Sequence, residues 1–181
     1  MKALMILGCR SRTGRTASAA GALVEGMEAS GCEVESIFLP ELEVERCRQC
    51  DGDGWGRCRD KDECAIEDDF PGIIEKIRTA DALAFTTPVY FSDLSESMRA
   101  FLDRLRRIAR NDSGGIRGKD ALGICLAGGG GGGAPACAAS MVRMLSGCGF
   151  EVVDVVPVRR QNMDLKLRVL RETGSWFASR S

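Results

Sequence analysis

The sequence predicts an α/β domain built on a doubly wound, five-stranded parallel sheet. Five short apolar runs have the length and composition of buried strands: residues 2–9, 33–39, 81–87, 121–127 and 150–158. Segments with a helical apolar period separate them, and this regular alternation is typical of parallel sheets with helices on both faces. The length of 181 residues fits one domain, residues 1–181, without internal repeats.

The first half of the alternation begins with the strand at residues 2–9. A helix is predicted over residues 16–30, because Ala19, Leu23 and Met27 recur at intervals of four and so share one face. The second strand, residues 33–39, alternates apolar with polar positions, as half-buried strands do.

A polar insertion at about residues 40–67 follows, without a core pattern, and long loops of this kind are usually functional or disordered. Asp68 or Asp69 is expected to cap the next helix, which has Pro71 in its first turn. Its inward residues would be Ile73, Ile74 and Ile77. After the third strand, Ser92 or Asp93 is predicted to cap a further helix. The apolar face of that helix would hold Met98, Phe101, Leu102, Leu105 and Ile108.

The last elements follow the same order. The fourth strand, residues 121–127, continues into six consecutive glycines at residues 128–133. A helix is predicted over residues 135–146, and an amphipathic segment over residues 165–177 follows the fifth strand at residues 150–158.

The composition excludes several classes of function. The chain has nine cysteines and no histidine, which excludes Ser-His-Asp hydrolases, Cys-His proteases and His-ligated zinc enzymes. A net charge of −1 gives no basic field for nucleic acid. No apolar run approaches the roughly 20 residues of a membrane span. The N-terminal run is too short for a signal peptide, so we expect a cytoplasmic protein in a reducing compartment.

The loop after the first strand has the composition of a phosphate site. It opens a helix, whose N-terminus offers unpaired N–H groups and the positive end of the helix dipole. Gly14 lets the backbone close around an anion. Hydroxyl and guanidinium groups accompany it: Ser11, Thr13, Thr16, Arg10, Arg12 and Arg15.

The loops after the third and fourth strands suit a flat ring. Pro88 stiffens the first of them, and Val89, Tyr90 and Phe91 offer apolar and aromatic surface. The glycines at residues 128–133 lack side chains, so their backbone can approach a ligand closely. In parallel sheets, ligands bind at this carboxyl edge of the strands.

These three motifs resemble those of flavodoxin-like NAD(P)H-dependent FMN reductases, in order and spacing, over nearly the whole chain. The resemblance implies strand order 2-1-3-4-5, bound FMN and NAD(P)H as electron donor. The implied cofactor-binding residues are Cys9, Arg10, Ser11, Arg12, Gly14, Arg15, Thr16, Pro88, Val89, Tyr90, Phe91, Gly128, Gly129 and Gly130. Two positions depart from the family pattern, because Cys9 replaces its usual Ser and Ser11 its usual Arg. Which arginine contacts the phosphate is therefore open.

The insertion holds a cysteine cluster with the pattern C-x2-C-x7-C-x5-C: Cys47, Cys50, Cys58 and Cys64. Clustered thiolates in a reducing compartment suit an iron–sulfur cluster or tetrahedral zinc. The segment also resembles the cysteine motif of iron–sulfur flavoproteins, which implies a [4Fe–4S] cluster that exchanges electrons with FMN. That motif typically has two residues where this chain has seven between the second and third cysteines. Zinc, or thiols without metal, remain alternatives.

The other charged and thiol groups are given structural roles. Four cysteines beside apolar segments are expected in the core: Cys32, Cys125, Cys137 and Cys148. The basic run of Arg104, Arg106, Arg107 and Arg110 is expected to form a solvated helix face.

The function that follows is an FMN-dependent oxidoreductase without a catalytic protein side chain. It would pass electrons from NAD(P)H or an iron–sulfur centre to a small acceptor such as a quinone or flavin. One alternative is a flavodoxin-type electron carrier that exchanges electrons with a ferredoxin-like protein. By fold analogy the protein would be a homo-oligomer, a dimer or tetramer.

A second alternative comes from the first loop. Cys9 and Arg15 match the C-x5-R-S/T pattern of low-molecular-weight tyrosine phosphatases, in which Cys attacks phosphorus. Those enzymes use an Asp general acid in an Asp-Pro loop, and the sequence contains no Asp-Pro.

Overall fold

The computed structural model describes residues 1–110 and 114–180. Within them lies one five-stranded sheet, and its strands are β1 (Lys2–Leu7), β2 (Glu33–Phe38), β3 (Ala82–Pro88), β4 (Asp120–Ala127) and β5 (Glu151–Arg159). All neighbouring strands run parallel, in the order β2-β1-β3-β4-β5. This confirms the doubly wound fold and the strand order 2-1-3-4-5.

The helices cover both faces of the sheet. They are α1 (Arg15–Ala29), α2 (Phe70–Thr79), α3 (Glu96–Ile108), α4 (Ala134–Gly147) and α5 (Met163–Ala178). Short 3-10 helices at Leu39–Glu41 and Arg160–Asn162 follow β2 and β5. The core on one face joins α1 and α5 to the sheet, and the core on the other face joins α2, α3 and α4 to it.

The two cores contain the residues that helical periodicity predicted to face inward. Ala19, Leu23 and Met27 are buried under α5, and Phe177 of α5 lies in the same cluster. On the opposite face, Ile73, Ile74 and Ile77 of α2 and the predicted apolar stripe of α3 are buried together. The four cysteines assigned to the core, Cys32, Cys125, Cys137 and Cys148, are all buried.

Helix α3 differs from its prediction in two respects. Its N-cap is Ser95, whose hydroxyl accepts from the N–H of Met98 at 3.4 Å, rather than Ser92 or Asp93. Asp93 instead closes a tight turn with Tyr90. The second difference is Arg104, which was expected on a solvated face but is only 1% exposed.

Residues 42–69 form neither helix nor strand and carry the four clustered cysteines. Within residues 1–110 and 114–180, we find no helix with the length and apolar character needed to cross a membrane.

Candidate functional site

Three loops meet at the carboxyl edge of the sheet: the first loop (residues 8–14), the second loop (residues 89–94) and the glycine loop (residues 128–133). They leave neighbouring strands β1, β3 and β4. The N–H of Gly8 donates to the carbonyl of Thr86 at 2.8 Å, and the N–H of Val89 donates to that of Leu126 at 2.9 Å. These bonds extend the strand pairing into the loops, so the three loops lie side by side.

The first loop passes against the start of α3. A Cβ atom at Gly8 would lie 2.5 Å from Ser95 Oγ, so only glycine allows this approach. Ser97 Oγ donates to the Gly8 carbonyl at 3.3 Å.

The same loop ends at the N-terminus of α1. Gly14 is its N-cap, in extended conformation, and it makes no side-chain cap hydrogen bond. First-turn N–H groups of a helix lack intrahelical acceptors, so this end of α1 suits an anion.

The arginines of the first loop have different surroundings. Arg12 forms a bidentate pair with Glu41, with Nε–Oε1 at 2.9 Å and Nη2–Oε2 at 2.6 Å, and lies over the Phe38 ring. The hydrogen bond to Glu41 raises the pKa of Arg12 above its usual value. Arg15, in contrast, comes within 3.8 Å of where a Cβ of Gly128 would be. Arg12 is therefore committed to a carboxylate, whereas the guanidinium of Arg15 lies beside Gly128 of the glycine loop.

Cys9 is a buried thiol at the base of the first loop. It is 8% exposed, and its Sγ donates to the carbonyl of Ser11 at 3.8 Å. Burial raises the pKa of this thiol above its usual value, so it stays protonated at neutral pH. A nucleophilic cysteine needs a lowered pKa, so the environment of Cys9 argues against the phosphatase alternative.

The second loop displays two aromatic side chains on a strained turn. Tyr90 and Asp93 exchange backbone hydrogen bonds of 3.0 and 2.9 Å. Between them, Phe91 and Ser92 have φ of 47° and 66°, in the left-handed region that bulky residues avoid. Phe91 is fully exposed and Tyr90 is 58% exposed. The strained backbone of Phe91 and Ser92 therefore accompanies two exposed aromatic side chains on the second loop.

A hydrogen-bond network braces the second loop from below. Thr87 Oγ1 donates to Ser95 Oγ at 3.1 Å and accepts from the Ser95 N–H at 3.0 Å. Pro88 and Val89, predicted as cofactor residues, are partly buried above this network.

The glycine loop is fixed at one end and open in its middle. A Cβ at Gly133 would lie 2.9 Å from the Ser92 Cα, and Gly131 has φ of 82° with Arg159 packed against it. A Cβ atom added at Gly129 or Gly130 would have no described atom within 4 Å apart from its chain neighbours. The middle of the loop therefore offers bare backbone to a ligand.

The cysteine loop forms a second candidate site, on the α3 side of the sheet. The four cysteines of this loop line one narrow cavity of about 20 Å³: Cys47, Cys50, Cys58 and Cys64. In the described parts of the chain, no three His, Cys, Asp or Glu side chains are grouped closely enough to hold a metal ion. The four thiols thus share a cavity without converging on one point. As a donor set, they suit an iron–sulfur cluster or zinc.

Arg104 and Asp68 connect this cavity to the core. Arg104 Nη1 and Nη2 contact the two Asp68 carboxylate oxygens at 2.5 and 2.9 Å, and Nη2 also donates to Cys64 Sγ at 3.2 Å. Burial raises the pKa of Asp68, but hydrogen bonds from Arg104 and from the N–H groups of Glu45 and Phe70 lower it by more. The pKa of Asp68 is therefore below its usual value.

Sequence reasoning missed the Arg104–Asp68 pair, although a signal for Arg104 was present. Arg104 follows Phe101 by three residues and precedes Ile108 by four, so helical periodicity places it on the buried face. The Arg12–Glu41 pair had no such signal, because its partners are 29 residues apart on different elements.

Comparison with known proteins gives a consistent result. The model of a family described as NADPH-dependent FMN reductase matches residues 1–161. The chain is 37% identical over 84 residues to an iron–sulfur flavoprotein of Methanosarcina thermophila, covering 46% of this chain and 41% of that one. It is 30% identical over 105 residues to an iron–sulfur flavoprotein of Archaeoglobus fulgidus, covering 58% and 46%. The chain thus spans about half the length of these curated relatives.

Among solved structures, an NAD(P)H:quinone oxidoreductase from Methanothermobacter marburgensis superimposes with a TM-score of 0.73. The superposition covers 98% of this chain and 96% of that one, at 22% identity. At this identity the likeness concerns the fold.

Proposed function

Because the chain belongs to the NADPH-dependent FMN reductase family, we propose that it is an FMN-dependent oxidoreductase. Its electron donor would be NAD(P)H or an iron–sulfur centre, and its acceptor a small molecule such as a quinone or flavin. The observation that carries this proposal is the meeting of the first loop, the second loop and the glycine loop at one edge of the sheet. Ligands bind at this edge in doubly wound folds.

The geometry fits the two ends of FMN. The phosphate would lie at the N-terminus of α1, bound by N–H groups of the first loop and by the charge of Arg15. The ring would lie between the exposed aromatic groups Tyr90 and Phe91 and the bare backbone of Gly129 and Gly130. When bound, FMN supplies hydride and single-electron chemistry.

The protein's own residues then have positioning roles. The Thr87–Ser95 network fixes the height of the second loop above the sheet. The close contact between Gly133 and Ser92 fixes the glycine loop against the second loop. The ring of FMN would then have aromatic side chains on one side and bare backbone on the other.

The cysteine loop supports a second redox centre. Its four cysteines line one cavity, and thiolates are the ligands that iron–sulfur clusters use. We propose that Cys47, Cys50, Cys58 and Cys64 hold a [4Fe–4S] cluster. Zinc is the alternative that metal analysis distinguishes, because zinc gives neither iron content nor visible absorption.

The test is purification under nitrogen, followed by the visible spectrum and by FMN, iron and zinc analysis. We expect one FMN per chain and, with a [4Fe–4S] cluster, close to four iron atoms per chain and visible absorption beyond that of the flavin. NADPH and NADH are then mixed separately with the oxidised protein, and flavin bleaching is followed by stopped flow. A protein that neither contains FMN nor binds it as apoprotein contradicts the proposed function.

A further stopped-flow mixing, with reduced ferredoxin in place of the nucleotides, separates enzyme from carrier. Slow bleaching by both nucleotides, combined with fast exchange with a reduced ferredoxin, would show a flavodoxin-type carrier instead. We also propose a homo-oligomer, a dimer or tetramer, since the fully exposed Phe91 beside the site offers apolar surface to a second chain. Light scattering coupled to size exclusion tests this, and a monomer at all concentrations contradicts it.

A further inference from the structure

We propose that Arg104 is a positioning residue that sets the reduction potential of the cysteine-loop centre through its hydrogen bond to Cys64. This inference rests on the cluster proposed above. It concerns a side chain that is not a ligand and that lies on α3, outside the cysteine loop.

The geometry around Arg104 is fully specified. Its Nη2 donates to Cys64 Sγ at 3.2 Å, and its Nη1 donates to the Glu45 carbonyl at 3.0 Å. Asp68 clamps the same two nitrogens, and the guanidinium lies 4.1 Å from the centre of the Phe70 ring. Because Asp68, the Glu45 carbonyl and the Phe70 ring all contact the guanidinium, its orientation toward Cys64 Sγ is fixed by the surrounding core.

One donor of Arg104 still lacks an acceptor. Its Nε is buried and has no hydrogen-bond partner among the residues that the structure describes. Arg104 also lines the cavity shared by the four cysteines. Buried donors are rarely left unpaired, because an unmade hydrogen bond leaves the cost of desolvating the donor uncompensated. A sulfide-bearing group in the cavity would supply acceptors that the protein lacks.

Stability alone is a weak reason for this arrangement. A buried ion pair often contributes no more than apolar residues of the same volume would, because both charges must be desolvated. The Arg104–Asp68 pair carries no net charge. What it adds to the site is an N–H group that is held in one orientation, toward Cys64 Sγ. Hydrogen bonds to ligand sulfurs are among the features that set the potentials of iron–sulfur clusters. They stabilise the more negative, reduced state and so make the potential more positive.

Helix α3 makes the position of Arg104 relevant to the flavin site. Near its N-terminus, Ser97 contacts Gly8 of the first loop, and two turns later Arg104 contacts Cys64. A single helix therefore contacts the first loop through Ser97 and the cysteine loop through Arg104.

The test compares three variants by potentiometric titration of the anaerobically reconstituted cluster, followed by EPR. Arg104→Gln removes the charged donor, and we expect a more negative midpoint. At fixed potential the ratio of reduced to oxidised cluster should fall about tenfold, which is about 59 mV for one electron. Asp68→Asn breaks the same ion pair but keeps the donor and its positive charge, so its midpoint should become more positive. Arg106→Gln removes an exposed charge from α3 and is the matched control.

Opposite shifts for Arg104→Gln and Asp68→Asn support the proposal. Shifts in the same direction would indicate only a loosened loop and overturn it, as would midpoints equal to that of Arg106→Gln. If Arg104→Gln does not retain FMN, Arg104→Met, which has neither the charge nor the donor, replaces it, and a midpoint equal to wild type then overturns the proposal. A wild-type protein that binds FMN but no cluster overturns this inference and the proposed cluster together, while the flavin function stands.

Discussion

Gly26 of α1 and Gly174 of α5 lie directly against the backbone of each other's helix. A Cβ atom at Gly26 would overlap the carbonyl oxygen of Arg171, and one at Gly174 would overlap that of Leu23. Ser175 Oγ donates to the Gly26 carbonyl at 3.0 Å and closes the same contact. No Cβ atom fits at either glycine, so the distance between the two helices at this crossing is set by their backbones.

We therefore expect Gly26→Ala to lower the free energy of unfolding by about 2–3 kcal/mol, because the helices must separate to admit a methyl group. Gly21→Ala in the same helix is the control, since no described atom lies near its Cβ position. That variant should gain about 0.5–1 kcal/mol from helix propensity. Urea denaturation measures both, and equal stabilities for the two variants would contradict the contact.

A substitution in the middle of the glycine loop should change the affinity for FMN without changing the stability of the fold. Gly130→Ala meets no described atom, so we expect an unchanged unfolding midpoint. If the ring lies on this backbone, the added methyl group should weaken FMN binding about tenfold or more, which is about 1.4 kcal/mol. Titration of apoprotein with FMN, followed by fluorescence quenching, measures this. Gly147→Ala, at the far end of α4, also has an open Cβ position and should bind FMN like wild type.

Cys9 should be dispensable for catalysis. Since burial raises its pKa, the thiol is neutral at pH 7 and supplies packing rather than a nucleophile. We expect Cys9→Ala to retain NAD(P)H oxidation within a few fold, with a modest loss of stability. The wild-type protein should not hydrolyse p-nitrophenyl phosphate. Hydrolysis abolished by Cys9→Ser would instead establish the phosphatase alternative.

The Asp68 carboxylate should make the free energy of unfolding depend on pH in the acidic range. Its pKa is lowered in the folded state, so its contribution is complete above the unfolded value of about 3.9. That contribution is lost as the pH falls through the folded pKa. At pH 7, Asp68→Asn should cost about 3–5 kcal/mol, because it leaves Arg104 buried without its counter-charge. Urea denaturation at several pH values should show this difference shrinking below about pH 4, and a constant difference would contradict the assignment.

Much of the fold was predictable because it depends on local periodicity. Five apolar runs alternate with helical segments, and each observed element begins and ends within two residues of its predicted bounds where bounds were given. The start of α3 was assigned wrongly, because Ser92, Asp93 and Ser95 are all good caps in isolation. Only the pairing of Tyr90 with Asp93 removes the first two from the choice.

The sequence was enough to predict which loops lie together at the edge of the sheet, but not which side chains contact each other there. Position after a parallel strand identified the first loop, the second loop and the glycine loop. The partners of individual charges came from distant parts of the chain: Arg12 meets Glu41, and Arg104 meets Asp68. Composition gives the number of such charges, while tertiary packing decides which of them are neutralised.

Helix α3 also constrains how this chain can change in length. Ser97 and Arg104 face different partners from one continuous helix, and each residue of an α-helix turns the chain by about 100°. A single insertion between them would rotate Arg104 out of the core while Ser97 stayed in place. Homologous sequences should therefore vary in composition along this stretch yet keep its residue count, with insertions confined to the loops on either side.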